Sequence, residues 1–257
     1  FNIQVAKLEF VRNGNVINKD SDVAVLQDGS LVRVENKQIN FSSIKKIPQA
    51  MELAGFGSQS LQKNEGAFPA AVQLEDSDDN VKHAIETITR LKSLVPIVGG
   101  CEATRRLYID PILCASGLNV GEITMTVEKT IEDAQFNGDV DYLFSFDDIV
   151  ICVTEGKKDQ LDYGIAQNIA QLSSVRANRK RKFDQISKPA TFGIATTFHE
   201  WVFIKYDDDH VYRTDSIIVD HERSTSITNV IGRIIGLLQK CKSDAHGEQP
   251  PGNRQKK

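Results

Sequence analysis

Asp141, Glu155 and Lys157 are residues whose types and spacing could cut a phosphodiester. In an extended strand, side chains two positions apart share a face, so Glu155 and Lys157 point the same way while Gly156 points the other. Hydrolysis of a phosphodiester needs a cation on the phosphoryl oxygens, a water placed in line, and positive charge where the transition state becomes more anionic. Two carboxylates offer hard oxygen ligands to Mg²⁺, an ion that keeps several of its own waters. Lys157 would orient the attacking water or stabilise the developing charge. The pattern is that of a metal-dependent nuclease site.

The elements that must position these groups are legible. Residues 140 to 146 and 149 to 155 read as an antiparallel hairpin, which sets the start of its first strand beside the end of its second. Ile149 to Val153 is a continuous apolar run, as in a strand covered on both faces, and charge begins where that run stops. An E-x-K triplet is also compatible with a solvated strand edge or a surface ion pair. A helix over about Gln160 to Ala177 follows, with Leu161, Ile165, Ile169 and Leu172 in one stripe. Gln160, Gly164, Gln167 and Gln171 gather on its other side, off the core. Gln167 is either part of a solvated face or a cleft residue that hydrogen-bonds the site or a substrate phosphate. Residues 176 to 182, RANRKRK, carry Arg176, Arg179, Lys180, Arg181 and Lys182 without an acid. The run reads as a solvated helix end, a phosphate-contacting patch or a nuclear localisation signal.

On Asp141, Glu155-Gly156-Lys157 and the helix bearing Gln167 and Gln171, the stretch from about Asn80 to Thr197 resembles the PD-(D/E)XK, or restriction-endonuclease-like, nucleases. The wording GDVDY, VTEGKK and GIAQNIAQL is most similar to the nuclease-like C-terminal modules of Crinkler-type effectors and related fungal proteins. The resemblance implies Asp141 and Glu155 as ligands of Mg²⁺ or Mn²⁺, with the Gly156 carbonyl as a further ligand and Lys157 as the water-positioning group. A glutamate of the first helix commonly supports such sites, and Glu102 is the candidate here. The family's usual proline before the aspartate is replaced by Val140. The resemblance also implies a nucleic-acid partner, DNA foremost, and a secreted effector acting in a host cell nucleus. The alternative it allows is an inactivated module that binds DNA or a host protein.

The remaining chain bounds these readings. Its 257 residues, 40% hydrophobic and 26% charged, describe an ordinary globular protein with a sizeable core. A net charge of −4 argues against a protein that coats nucleic acid, without excluding a nuclease whose local charges act within about 8 Å at physiological salt. No apolar stretch approaches the ~20 residues of a membrane span, so no membrane partner is expected. Cys101, Cys114, Cys152 and Cys241 lack C-x-x-C pairing and read as reduced, with Cys152 buried in its strand. No P-loop or dinucleotide-binding glycine pattern occurs, which excludes a nucleotide motor or dehydrogenase reading. Phe1 is not a methionine, so a leader or delivery domain upstream is left open, as is a homodimer.

Along the chain, Asp28-Gly29 signals a hairpin, residues 44 to 55 a short helix stopped by Gly55, and the acidic run 75 to 79 a loop capping the next helix through Asp79 or Asn80. After Gly99-Gly100, another helix or two is expected, with Asp110-Pro111 as a cap and first-turn proline and Glu102 near a helix start. Ile123, Met125 and Val127 begin the first core strand. Strands over 191 to 197, 200 to 206 and about 217 to 219 follow, in which Trp201, Phe203 and Tyr206 are core residues or base-stacking platforms. A last helix spans about Ser224 to Lys242. The expected fold is α/β: a restriction-endonuclease-like αβββαβ core over residues 80–242, an N-terminal accessory segment over 1–79, extra C-terminal strands and helix, and a disordered tail over 243–257.

Overall fold

The computed structural model of the chain describes residues 10–12, 15–17, 38–57, 59, 61–75, 77–97, 100–146, 149–155, 160–182, 190–220 and 223–246; for 10–12, 15–17, 149, 152–155, 179–182 and 245–246 it describes the backbone alone. The fold is mixed α/β, as expected. At its centre α3 (Glu102–Val120), β5 (Thr124–Glu132), β6 (Phe136–Phe146), β7 (Ile149–Glu155), α4 (Leu161–Lys182) and β8 (Thr191–Thr196) follow one another. β5, β6 and β7 form an antiparallel meander, while β7 and β8 run parallel. A parallel pair needs a crossover, and α4 supplies it.

Among the described residues, further strands widen this into a nine-stranded sheet. β9 (Glu200–Tyr206) pairs with β8, and both β10 (Val211–Arg213) and β11 (Ile217–Ile218) pair with β9. β10 is a strand the sequence reading missed, because its three residues are too short to show a period. The N-terminal segment enters the same sheet: β3 (Ile39–Asn40) pairs with the start of β6, and β4 (Gln62–Lys63) with β10. A separate hairpin of β1 (Phe10–Arg12) and β2 (Asn15–Ile17) was not anticipated. The hairpin expected around Asp28-Gly29 lies outside the described residues.

Two apolar layers hold the sheet. On one face α2 (Asp79–Leu94), α3 and α5 (Ser224–His246) bury Val81, Ile88, Ile109, Ile112, Ile231 and Ile234 against Tyr142, Phe144, Ile151 and Ile194. On the other, α1 (Ile47–Leu53) and α4 bury Met51, Ile165, Ile169 and Leu172 against Val140, Leu143 and Val202. Each such side chain contributes about 1.5–3 kcal/mol of burial, so the layers fix which face every helix turns inward. Trp201 and Phe203 are fully buried and Tyr206 nearly so, which makes them core and removes them as base-stacking platforms.

Several boundaries differ from expectation. Asp78, not Asp79 or Asn80, caps α2, accepting from the backbone amides of Asn80 and Val81. Asp110-Pro111 starts no helix; Pro111 sits inside an unbroken α3, because Ile109, Ile112 and Leu113 around it are all buried and hold the helix to the sheet. α4 is longer than expected, and more of it is covered: Gln171, expected off the core, is 2% exposed and donates to the Asp139 carbonyl. The single stripe misled because α1 and the sheet both press on this helix.

Two close approaches use glycine. At Gly193 on β8, a Cβ would stand 1.8 Å from Asn168 Oδ1 on α4. Gly193→Ala is expected to destabilise the protein by about 1–3 kcal/mol, read as a lowered midpoint of thermal unfolding. On α5, Gly232 and Gly236 lie one turn apart, and Cβ atoms there would meet the Val72 and Ala70 carbonyls at 2.1 Å and 2.4 Å. The extended chain before α2 thus lies directly on the helix, where the Val72 amide donates to the Gly232 carbonyl at 2.9 Å.

Candidate functional site

β6 and β7 pair from Phe146↔Ile149 to Tyr142↔Val153. The same offset sets Asp141 opposite Thr154 and Val140 opposite Glu155, so the two strand ends adjoin one residue out of register. In a regular ladder opposed residues share a face and neighbours alternate. Asp141 and strand position 155 would then lie on opposite sides of the sheet.

A local break changes this. Glu128 on β5 takes a positive φ of 52°, and the ladder runs Val127↔Tyr142 then Lys129↔Val140, leaving out the pair between them. The offset is equal on both sides, so no residue is inserted; one pair is rotated out. Both strands change faces across it. Phe144 and Tyr142 pack in the α3 layer, whereas Val140 and Phe136 pack in the α4 layer; on β5, Met125 and Ile131 divide in the same way. The consecutive residues Asp141 and Tyr142 therefore both meet α3. Arg106 donates to Asp141 at 2.6 Å, and the Tyr142 hydroxyl donates to Asp110. Strand position 155, in phase with Ile151 and paired with Thr196, falls on this same α3 face. The strain of a non-glycine residue at positive φ is the local cost of that arrangement.

Arg106 organises the described part of the site. Its guanidinium lies 2.6 Å from Glu128, 2.6 Å from Asp141 and 3.8 Å from Glu102. Burial alone would lower the pKa of Arg106, but the hydrogen bond to Glu128 and the charge of Asp141 outweigh it and hold the group above its ordinary value. The carboxylates are gathered around a cation. Asp141 is mostly buried, with 20% of its side chain exposed, while Glu102, the first residue of α3, is 45% exposed.

Among the residues singled out by sequence, the structure joins Asp141 and Glu102 through Arg106. Position 155 adds backbone at the end of β7, and Gly156 and Lys157 lie outside the described residues. Gln167 is half-buried on α4, in the layer across the sheet from α3. Arg176 is 5% exposed; it donates to Asp208 at 2.7 Å and lies over the Tyr206 ring at 5.5 Å, so its charge is neutralised within the fold. Arg179, Lys180, Arg181 and Lys182 form the last turn of α4, about 27 Å along the helix from its start at ~1.5 Å per residue.

Sequence reasoning missed Arg105 and Arg106. The available signal was the Glu102–Arg106 spacing of four on a helix, which brings such pairs together. Arg105 instead lines a cavity of about 690 Å³ at the ends of β7 and β8, bordered by the first turn of α4. Among the described residues no cluster of three or more His, Cys, Asp or Glu is arranged to hold a metal ion. The donor chemistry of Asp141 and Glu102, with position 155 on the same face, nonetheless fits a hard divalent cation. Arg106 supplies positive charge at that point.

No family model matches the chain. It is 29% identical over 153 residues to Crinkler effector protein 5 of Phytophthora infestans, a match covering 57% of this chain and 42% of that protein. It is 24% identical over 259 aligned positions to Crinkler effector protein 1 of Rhizophagus irregularis, covering 88% of this chain and 55% of that one. The chain is a distant relative of Crinkler effector proteins, in keeping with the resemblance read from its sequence, and spans about half the length of the relatives it matches. No helix among the described residues is long and apolar enough to cross a membrane.

Proposed function

We propose that the chain is a nuclease-like module of the PD-(D/E)XK type that hydrolyses nucleic-acid phosphodiesters, DNA foremost, with Mg²⁺ or Mn²⁺, and that it acts as an effector in the nucleus of a host cell. The observation that carries this reading is the rotation of Asp141 onto the face of strand position 155, beside Glu102. The element order α3-β5-β6-β7-α4-β8 supports it as well, because αβββαβ is the core that the sequence resemblance implies. A divalent cation, when bound, would supply polarisation of the phosphoryl oxygens. Asp141, Glu155 and the Gly156 carbonyl would hold it. Lys157 orients the attacking water, Glu102 orients the ligand shell through Arg106, and the basic end of α4 draws in the polyanion.

The Arg106–Asp141 ion pair favours a second reading, a module that has lost turnover and binds DNA or a host protein. Incubation of supercoiled plasmid and of oligonucleotides with Mg²⁺, beside an EDTA control and Lys157→Ala, separates the two. Nicking by the wild type that Lys157→Ala loses is the expected result. Equal and negligible nicking by both proteins, with DNA binding retained, would establish the second reading in place of the first.

A further inference from the structure

We propose that the cavity at the ends of β7 and β8 is a phosphate-binding pocket anchored by Arg105. Arg105 is 7% exposed, and its Nη1 is buried with no hydrogen-bond partner. Asp162 and Glu200 also line the cavity, yet neither forms an ion pair with Arg105. A buried guanidinium with an unanswered donor is unfavourable unless something arrives to accept from it, and Arg105 lines a cavity of about 690 Å³, which makes that cavity a place for an anion.

The other donors indicate which anion. Arg213 on β10 supplies a second guanidinium, and Ser216 a hydroxyl. The amides of Leu161 and Asp162, in the first turn of α4, lack intrahelical acceptors and add further donors, although the Asp162 carboxylate already supplies negative charge to that helix start. Donors thus converge from α3, β10 and α4. A planar carboxylate presents two oxygens in one plane, whereas a tetrahedral phosphate can accept from three directions at once and take a bidentate pair from Arg105. Arg105 and Arg106 are consecutive on α3, about 100° apart around its axis, so the phosphate would sit beside the Asp141 cluster and not on it. The inference rests on the nuclease reading only in assigning the phosphate to a nucleic-acid strand; the pocket's chemistry stands without it.

The test is made in EDTA, so that cleavage plays no part. Inorganic phosphate is added to the full chain, with chloride at matched ionic strength as reference, and thermal unfolding is followed. The wild type is expected to gain about 5 °C or more at phosphate concentrations about a hundredfold above Kd. Arg105→Met, which removes an unpaired buried charge, is expected to fold and to lose that gain. Should Arg105→Met fail to fold, Arg213→Gln decides: a reduced gain supports the pocket and an undiminished one overturns it. No gain by the wild type over chloride, or an equal gain in Arg105→Met, overturns it outright. A fluorescent single-stranded oligonucleotide then identifies the source. Displacement by inorganic phosphate, with affinity at least about tenfold weaker in Arg105→Met, assigns the pocket to a strand phosphate. A phosphate-dependent gain without displacement assigns it to small phosphate compounds, and leaves the nuclease reading to the Lys157→Ala comparison.

Discussion

Asp141→Asn is expected to lower Mg²⁺-dependent cleavage by about 10³-fold, the size of effect seen when one charged group is removed from a preorganised site. The substitution keeps the shape of the side chain and an oxygen able to accept from Arg106 at the present 2.6 Å, so the ion pair becomes an ordinary hydrogen bond. What it removes is the negative charge, the property a divalent cation requires of a ligand here. Initial rates of plasmid nicking, with thermal unfolding as the check on folding, measure the effect. A variant within about threefold of wild type, well short of that loss, would exclude Asp141 from the chemistry.

The second large effect is expected at Arg106. Arg106→Met leaves Asp141, Glu128 and Glu102 gathered without the guanidinium that lies 2.6 Å, 2.6 Å and 3.8 Å from them. Breaking a fully buried pair costs about 3–5 kcal/mol. Arg106 and Asp141 retain 23% and 20% exposure and Glu128 retains 66%, so solvent screens part of this and about 2 kcal/mol is the expected loss. In EDTA the unfolding midpoint should fall by about 5 °C. With millimolar Mg²⁺ the variant should recover more than the wild type gains, because a divalent cation can take the position among the carboxylates that the guanidinium holds. Equal Mg²⁺ responses in the two proteins would mean that these acids serve the ion pair alone.

How much of this was readable in advance follows from the range of the forces involved. The meander over residues 124–155, the crossover helix α4 and the terminal helix α5 were legible because each carries its own apolar period. Asp141 was picked out by type and by the hairpin. Its orientation was not readable, since alternation alone sends it to the wrong face and the correction lies in the backbone of Glu128, thirteen residues earlier on another strand. Arg176 was read as a surface cation because its neighbours are basic; Asp208, which neutralises it, stands 32 residues away. Arg105 gave no sign, because an unanswered guanidinium is recognised only once the walls around it are in place. Pro111 was misread for a related reason: local rules treat proline as punctuation, while the buried residues on either side of it kept α3 whole.

The pairing of β4 with β10 has a bearing on how the protein is made. Lys63 and Asp215, which meet at this edge, are 152 residues apart. During synthesis at ~5–20 residues per second, the early segment therefore waits at least about eight seconds on the ribosome before its partner strand emerges. Through that interval the glycine ridge of α5, against which residues 70–72 come to rest, is also still unmade. β3 and α1 can settle on β6 and α4 before then, but β4 and residues 70–72 gain their partners only once β10 and α5 have been made.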